Sequence, residues 1–354
     1  MADTPALSVS EPSPSPGRAP FRLSFMHIAL LAGLIAYAAV LAGVWWAALR
    51  FSPDQISVTV SGHALHMSEV HRKLVSNAMM LFAILPFALW VEWMSVGWEN
   101  SSIRRLVLAR TASSQTDLVI LILGQVRVLD VMAKLMLLGV SFISGEAIRL
   151  WLKAHTGLYV DPAGLPFLVQ LPLFFAVYTF LDYWTHRLDH WKYFWPLHRY
   201  HHAAEEFVVV TSERQHPAQF AGVFVINVPL AILGADPAVM LYVNVLVSTI
   251  GLIIHSRIDS DWDWFGRWVI QSPNHHRLHH KLDMAHPTGH FAIAPVWDHL
   301  FGTFYGARGG YDPSPSLPIG VDRPYRHGFW VVPDLLRDYW DFWRGFFLRG
   351  KTHL

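Results

Sequence analysis

Two apolar runs, Phe25 to Leu49 and Leu74 to Trp98, constrain this chain more than any other feature. At 1.5 Å per helical residue, each is long enough to cross a hydrocarbon layer of roughly 30 Å. A composition with 53% hydrophobic and only 15% charged residues, and a mean hydropathy of +0.31, agrees with a membrane protein. The expected fold is an all-α, polytopic membrane helical bundle of about 4 to 6 spans. A formal charge of +1 leaves no footprint for nucleic acid and no strong steering of acidic partners.

Residues 1–22 are Pro/Ser-rich without apolar periodicity and read as a disordered tail. No removable signal peptide is expected, so the first span is retained. Residues 23–164 form an amino-terminal unit of spans and loops. It includes a third apolar run, Leu118 to Ile143, in which Arg127, Asp130 and Lys134 share one helix face. An interfacial helix accounts for those charges most simply, and a face turned to a bundle interior is the functional alternative. A fourth run, Leu165 to Trp184, opens a catalytic region over 165–310. A fifth, Phe220 to Ile254, is interrupted by Gly234-Ala235-Asp236-Pro237 and reads as a hairpin of two spans. From Ser256 on, the chain is too broken by Pro and Gly to span; it is expected to be a soluble cap, ending in a cytosolic segment over 311–354. Arg104, Arg105 and Arg110, and then Arg187, Lys192, Arg199 and Arg214, assign their loops to the cytoplasm, with the loop Arg50 to Lys73 opposite.

The chain has 21 histidines and no cysteine. Thiolate nucleophiles, thiolate zinc sites and Cys-ligated clusters are therefore excluded. Three histidine boxes stand in the second half: His186-Arg-Leu-Asp-His190, His198-Arg-Tyr-His201-His202 and His276-Arg-Leu-His279-His280. Spacings of three and four place two or three imidazoles on one helix face. One HxxHH is expected by chance roughly 0.07 times in such a chain and two about 0.003 times. Pro196 and Pro273 fit the first turns of short helices carrying the second and third boxes. Eight imidazoles exceed a tetrahedral zinc site and suit two metals, whose identity ligand type alone leaves open among Fe, Zn, Cu and Ni. Asp182 and Asp189 are placed to hold outer imidazole N–H groups, or serve as ordinary helix-end solvation. Trp184, Trp191, Tyr193, Phe194 and Trp195 suit an interfacial belt.

With these boxes go Thr211-Ser-Glu-Arg-Gln-His-Pro217, Gly251-Leu-Ile-Ile-His-Ser256 and Trp297-Asp-His-Leu-Phe-Gly-Thr303. Together, over roughly Phe174 to Tyr305, they resemble the fatty acid hydroxylase/sterol desaturase superfamily of membrane di-metal oxygenases. The resemblance implies that His186, His190, His198, His201, His202, His276, His279 and His280 are metal ligands, joined by His255 and His216. It also implies two Fe ions (diiron), O2 as co-substrate, and hydroxylation or desaturation of a lipid such as a fatty acyl chain, sterol or related isoprenoid. An external electron donor, a reductase with a ferredoxin or cytochrome b5-like protein, goes with that chemistry. Gly289-His290-Phe291 departs from the family's Asn before Gly, which leaves His290 as a polar contact or a surface residue; His275 is not a usual ligand position. His63, His66, His71, His155, His286, His299, His327 and His353 are expected to be structural or solvated. Rival readings are a zinc-dependent membrane hydrolase, separated by metal analysis and O2 dependence, and a metal carrier, for which the histidines should lie at mid-bilayer depth.

Overall fold

The computed structural model describes residues 25–51, 55–60, 63–68, 70–137, 145–157, 162–282, 289–304 and 314–348. The expected tail, residues 1–22, lies outside them. Helix α1 (Phe25–Phe51) is followed by an antiparallel hairpin, β1 (Gln55–Val60) and β2 (His63–Ser68), the described strands in an otherwise helical chain. Next come α2 (Val70–Met79), a π-helical turn at Met80–Ile84, and α3 (Leu85–Asn100), which together make the second span. Short α4 (Ser102–Val107) leads to α5 (Ala112–Gln125), α6 (Val128–Met136) and α7 (Gly145–Thr156). The third long span is α8 (Phe167–Asp189), which delivers the first histidine box at its carboxyl end. Three helices, Ile28–Ala48, Val75–Asn100 and Phe167–Asp189, are thus long and apolar enough to cross a membrane.

The remaining helices are α9 (Trp195–His202), α10 (Phe220–Gly222), α11 (Val228–Ile232), α12 (Pro237–Ile254), α13 (Asp263–Trp268), α14 (Pro273–His279), α15 (Val296–Leu300) and α16 (Val331–Phe347). The Gly234–Pro237 turn forms where expected, but the apolar helices on either side of it, Phe220–Ile232 and Ala238–Ile254, are shorter than the two spans expected there. Gly234 takes a left-handed φ of 70°, and the Asp236 side chain caps α12 by accepting from Ala238 N–H at 2.7 Å. Both proline expectations hold as well, with Pro196 in the first turn of α9 and Pro273 opening α14.

The third apolar run also departs from expectation. Leu118 to Ile143 is not a single span: α5 stops at Gln125, and Arg127 adopts a left-handed φ of 65° before α6 begins. The chain then folds back, so that Met136 packs with Leu197 and Phe342, and its carbonyl accepts from Tyr339 O–H at 2.6 Å. Residues 138–144 lie outside the described set. The turn places Arg127 and Asp130, paired at 3.0 Å, on a polar pocket open to the surface.

Glu92, inside the second apolar run, is fully buried and accepts three hydrogen bonds from two residues. Its carboxylate accepts from Ser102 N–H at 2.6 Å, Ser102 O–H at 2.7 Å and Arg257 N–H at 2.8 Å. It therefore fastens the end of α3 to the segment after α12. Thr111 O–H donates to Glu206 at 2.5 Å, and Arg214 reaches Asp117 and the Ser113 carbonyl. The loop bearing Arg104 and Arg105 thus shares one end of the bundle with the boxes.

Candidate metal centre

The boxes converge from four directions. His186 and His190 leave the end of α8, His198, His201 and His202 come from α9, His255 follows α12, and His276, His279 and His280 come from α14. They form two groups whose ligand atoms lie within 4.8 Å of one another: His186, His190, His198, His202 and His279 in one, and His201, His255, His276 and His280 in the other. Nine of the ten expected ligands are brought together. His202 and His280 stack at 4.0 Å between ring centroids and join the two groups.

Hydrogen bonds fix which nitrogen faces inward. Nδ1–H donates to a carbonyl in His186 (Phe291, 2.7 Å), His201 (Arg214, 3.2 Å), His255 (Gly251, 2.7 Å) and His279 (Gly289, 2.7 Å), and to Gln271 Oε1 in His276 (2.9 Å). A neutral ring with a protonated Nδ1 has a bare lone pair on Nε2. Those lone pairs face each other: His276 and His255 at 2.8 Å, His279 and His186 at 3.0 Å, His255 and His201 at 3.2 Å. Two acceptors at such distances repel unless a cation lies between them. Imidazole nitrogens about 2.1 Å from one ion, at right angles, are about 3.0 Å apart. The His280 nitrogens and His190 Nδ1 are buried without a hydrogen-bond partner among the described residues. The donor set therefore fits two metal ions, and a group of five nitrogens exceeds the four ligands of a structural zinc site.

Burial first, and neighbouring imidazoles second, push His198, His201, His202, His276 and His280 well below the ordinary histidine pKa. His279 moves the same way. All are held neutral, the form that binds a metal.

The outer shell differs from the expected one. Asp189 comes no nearer to His198 than 4.0 Å, beyond hydrogen-bond range, and no contact joins Asp182 to a box histidine among the described residues. Backbone carbonyls and Gln271 do the orienting instead. Asp298 organises the loop that supplies two of those carbonyls. Its carboxylate accepts from Phe291 N–H and Ala292 N–H, both at 2.9 Å, and from Thr303 O–H at 2.7 Å. Gln271 Nε2–H donates to the His290 carbonyl at 2.7 Å, so one side chain holds both His276 and that loop. Arg199, in the second box, binds Asp338 at 2.6 Å and Asp341 at 2.5 Å on α16, seating α9 on the carboxyl-terminal helix.

His216 is the expected ligand the structure does not bring in. Its Nε2–H donates to the Leu335 carbonyl at 2.9 Å, and its Nδ1 accepts from Ala218 N–H at 3.0 Å, so both nitrogens are committed to the protein. His290 is buried rather than on the surface, stacked on His275 at 5.3 Å, and neither belongs to a metal-binding group. His155, His299 and His327 also lie apart, bonded to Trp151 O, Arg267 O and Glu205 respectively. Gln271 and Glu92 went unremarked in the sequence, because a single buried polar residue has no spacing signature.

The fold and the site define a helical membrane protein with two adjoining polyhistidine groups at one end of its bundle. Residues 171–303 match the fatty acid hydroxylase family, which supports the resemblance to the fatty acid hydroxylase superfamily. Over 182 residues it is 29% identical to an ornithine lipid hydroxylase of Rhizobium tropici, covering 50% of this chain and 53% of that protein. Alkylglycerol monooxygenases of Danio rerio and Homo sapiens are 28% and 26% identical, each over 45% of this chain and 36% of theirs. The chain thus spans about half the length, or less, of the curated relatives it matches. No solved structure gives a significant match.

Proposed function

We propose that this protein is a membrane-bound diiron oxygenase that uses O2 to hydroxylate a lipid. The single observation carrying this reading is the pair of histidine groups with inward Nε2 lone pairs 2.8–3.2 Å apart. When bound, two irons at these groups would supply the oxidising power for an unactivated C–H bond. His186, His190, His198, His202 and His279 would hold one, and His201, His255, His276 and His280 the other. The chain's own part is to hold nine imidazoles neutral, to fix their tautomers through carbonyls and Gln271, and to keep the centre dry. The relatives named above act as a lipid hydroxylase and as monooxygenases, which favours hydroxylation over desaturation.

The reaction balances as R–H + O2 + 2 electrons + 2 protons giving R–OH + H2O. Without cysteine or a dinucleotide fingerprint in the sequence, the electrons come from an external reductase with a ferredoxin or cytochrome b5-like carrier. The boxes share their end of the bundle with Arg104 and Arg105, so this end is cytoplasmic by the positive-inside rule. Single cysteines replacing Glu99 and Ser57 should label from opposite sides of intact cells; labelling from the same side would reverse or collapse that topology. The activity test is lipid profiling of expressing cells under 18O2, which should reveal a product one 18O heavier. A product labelled from water instead would favour a zinc hydrolase.

A further inference from the structure

Helix α16 carries three distinct sides. Val331, Leu335, Asp338 and Phe342 share the first, which is buried against α9 and α5. Asp334, Arg337, Asp341 and Arg344 make a second, charged side, where Arg337 pairs with Asp334 at 3.4 Å. At 100° per residue, Val332, Leu336, Trp340, Trp343 and Phe347 fall on a third, within an arc of about 80°. That row faces out of the protein: Leu336 is 51% exposed, Trp340 66% and Phe347 75%. A helix side turned to water is ordinarily polar, and a contiguous apolar row of this kind marks a partner or a membrane surface. Helix α6, which packs beside α16 through Met136 and Tyr339, repeats the pattern: Val128, Val131 and Leu135 are exposed, while Asp130 and Lys134 lie together on another side.

The level of α16 in the molecule decides between a partner and a membrane. Its carboxyl-terminal half is wedged between two places where an apolar segment begins or ends. One is the end of α8, the span that delivers the first box. Just beyond Asp189, Tyr193 meets Phe346 at 5.6 Å and Phe194 meets Phe342 at 5.8 Å between ring centroids. The other is Phe220, which opens the apolar helix Phe220–Ile232; its ring stacks on Phe342 at 5.2 Å and meets Trp343 at 5.9 Å. Exposed Trp191, and Lys192 over the Tyr193 ring, complete the mix of aromatic and basic side chains that sits at headgroup level. The apolar row therefore emerges at the height where the bilayer crossed by α8 comes to its edge.

We propose that α16 is an in-plane membrane helix, which lays Leu336, Trp340 and Phe347 into the boundary between lipid headgroups and acyl chains. Residues 311–354, expected from the sequence as a cytosolic segment, then include a helix that rests on the bilayer itself. The same helix grips Arg199 of α9 through Asp338 and Asp341, so the bilayer surface and the second histidine box are joined through one element.

Because the chain has no cysteine, a single introduced one reports one position. The whole iron-loaded protein, carrying Trp340→Cys or Phe347→Cys labelled with nitrobenzoxadiazole, is reconstituted into phosphatidylcholine vesicles. Ile35→Cys on α1 is the deep reference and Ser316→Cys the aqueous one. Lipids with a nitroxide near the headgroup should quench the α16 labels at least about twofold more than lipids with one near the chain end, as befits a face sunk roughly 5–10 Å. Ile35 should show the reverse order. Iodide in the water should reach Ser316 and spare both α16 labels. The replaced side chains are exposed, so iron content should match the wild type; should either variant lose iron, Leu336→Cys on the same row takes its place. Labels on α16 that behave like Ser316 would overturn the proposal, and so would a stronger response to the chain-end nitroxide, which puts the helix within the hydrocarbon. Labels shielded from iodide yet untouched by either lipid would also overturn it, because a second copy or another protein would then cover the row. The placement needs only α8 to cross the bilayer, so none of these results bears on the oxygenase reading.

Discussion

Helix α1 and helix α9 are held in opposite ways. Along α1, Ile28, Leu31, Leu34 and Ile35 are exposed, and the polar contact described for the helix is Tyr37 O–H with Thr249 at 2.7 Å. Every residue of α9, from Trp195 to His202, is buried. Three of its eight side chains face the metal centre, and Arg199 is pinned by two aspartates. The contrast separates two kinds of placement. A spanning helix is positioned by its apolar surface, which any similar side chain preserves, whereas a ligand helix is positioned by particular donors and acceptors that no substitute reproduces.

The comparison can be broken most severely at the ligands. His279→Ala should abolish activity and remove most bound iron, measured by elemental analysis of anaerobically purified protein; full retention of both would detach the third box from the centre. Next in size is the buried ion pair of α9. Arg199→Ala leaves buried Asp338, among the described residues, with only Tyr325 O–H at 2.7 Å and Arg337 at 3.8 Å, so unfolding free energy should fall by about 3 kcal/mol. A thermal shift no larger than that of a surface variant would show α9 to be held otherwise. Asp298→Asn, which loses one charged acceptor for two backbone N–H groups and Thr303, should weaken iron binding about 10–100-fold while the fold persists. His216→Asn should leave iron content unchanged, since neither ring nitrogen is available to a metal. At the lipid-facing end, Leu34→Ala should move stability by less than about 0.5 kcal/mol, and Tyr37→Phe by about 1 kcal/mol, the worth of its hydrogen bond. Iron loss from either would erase the distinction.

Much of this was legible because ligand geometry is periodic. HxxHH on a helix sends its imidazoles to one side whatever surrounds it, and Pro196, Pro273 and the Gly234–Pro237 turn mark their breaks locally. What stayed hidden depends on contacts between distant segments. The carbonyls of Gly289, Phe291 and Arg214 orient three ligands and carry no side-chain signature. Asp298 was visible within its motif, but its role requires the loop of residues 289–292 to fold over it. His216 was expected as a ligand only from the family resemblance, and only the Leu335 carbonyl and Ala218 N–H reveal that its ring is occupied. The break at Arg127 follows neither Pro nor Gly directly; it is set by the return of α6 to Tyr339 and Phe342, a tertiary demand that local propensity does not carry. Asp182 and Asp189 illustrate the converse, since closeness in sequence to a box did not make them its partners.

Metal stoichiometry by group tests the central claim most directly. Anaerobically purified wild-type protein should hold about two irons per chain. His190→Ala and His276→Ala, one from each histidine group, should each lower that content, and the double variant should bind almost none. A wild-type content of a single ion, or equal metal in all four proteins, would contradict a centre built from two polyhistidine groups.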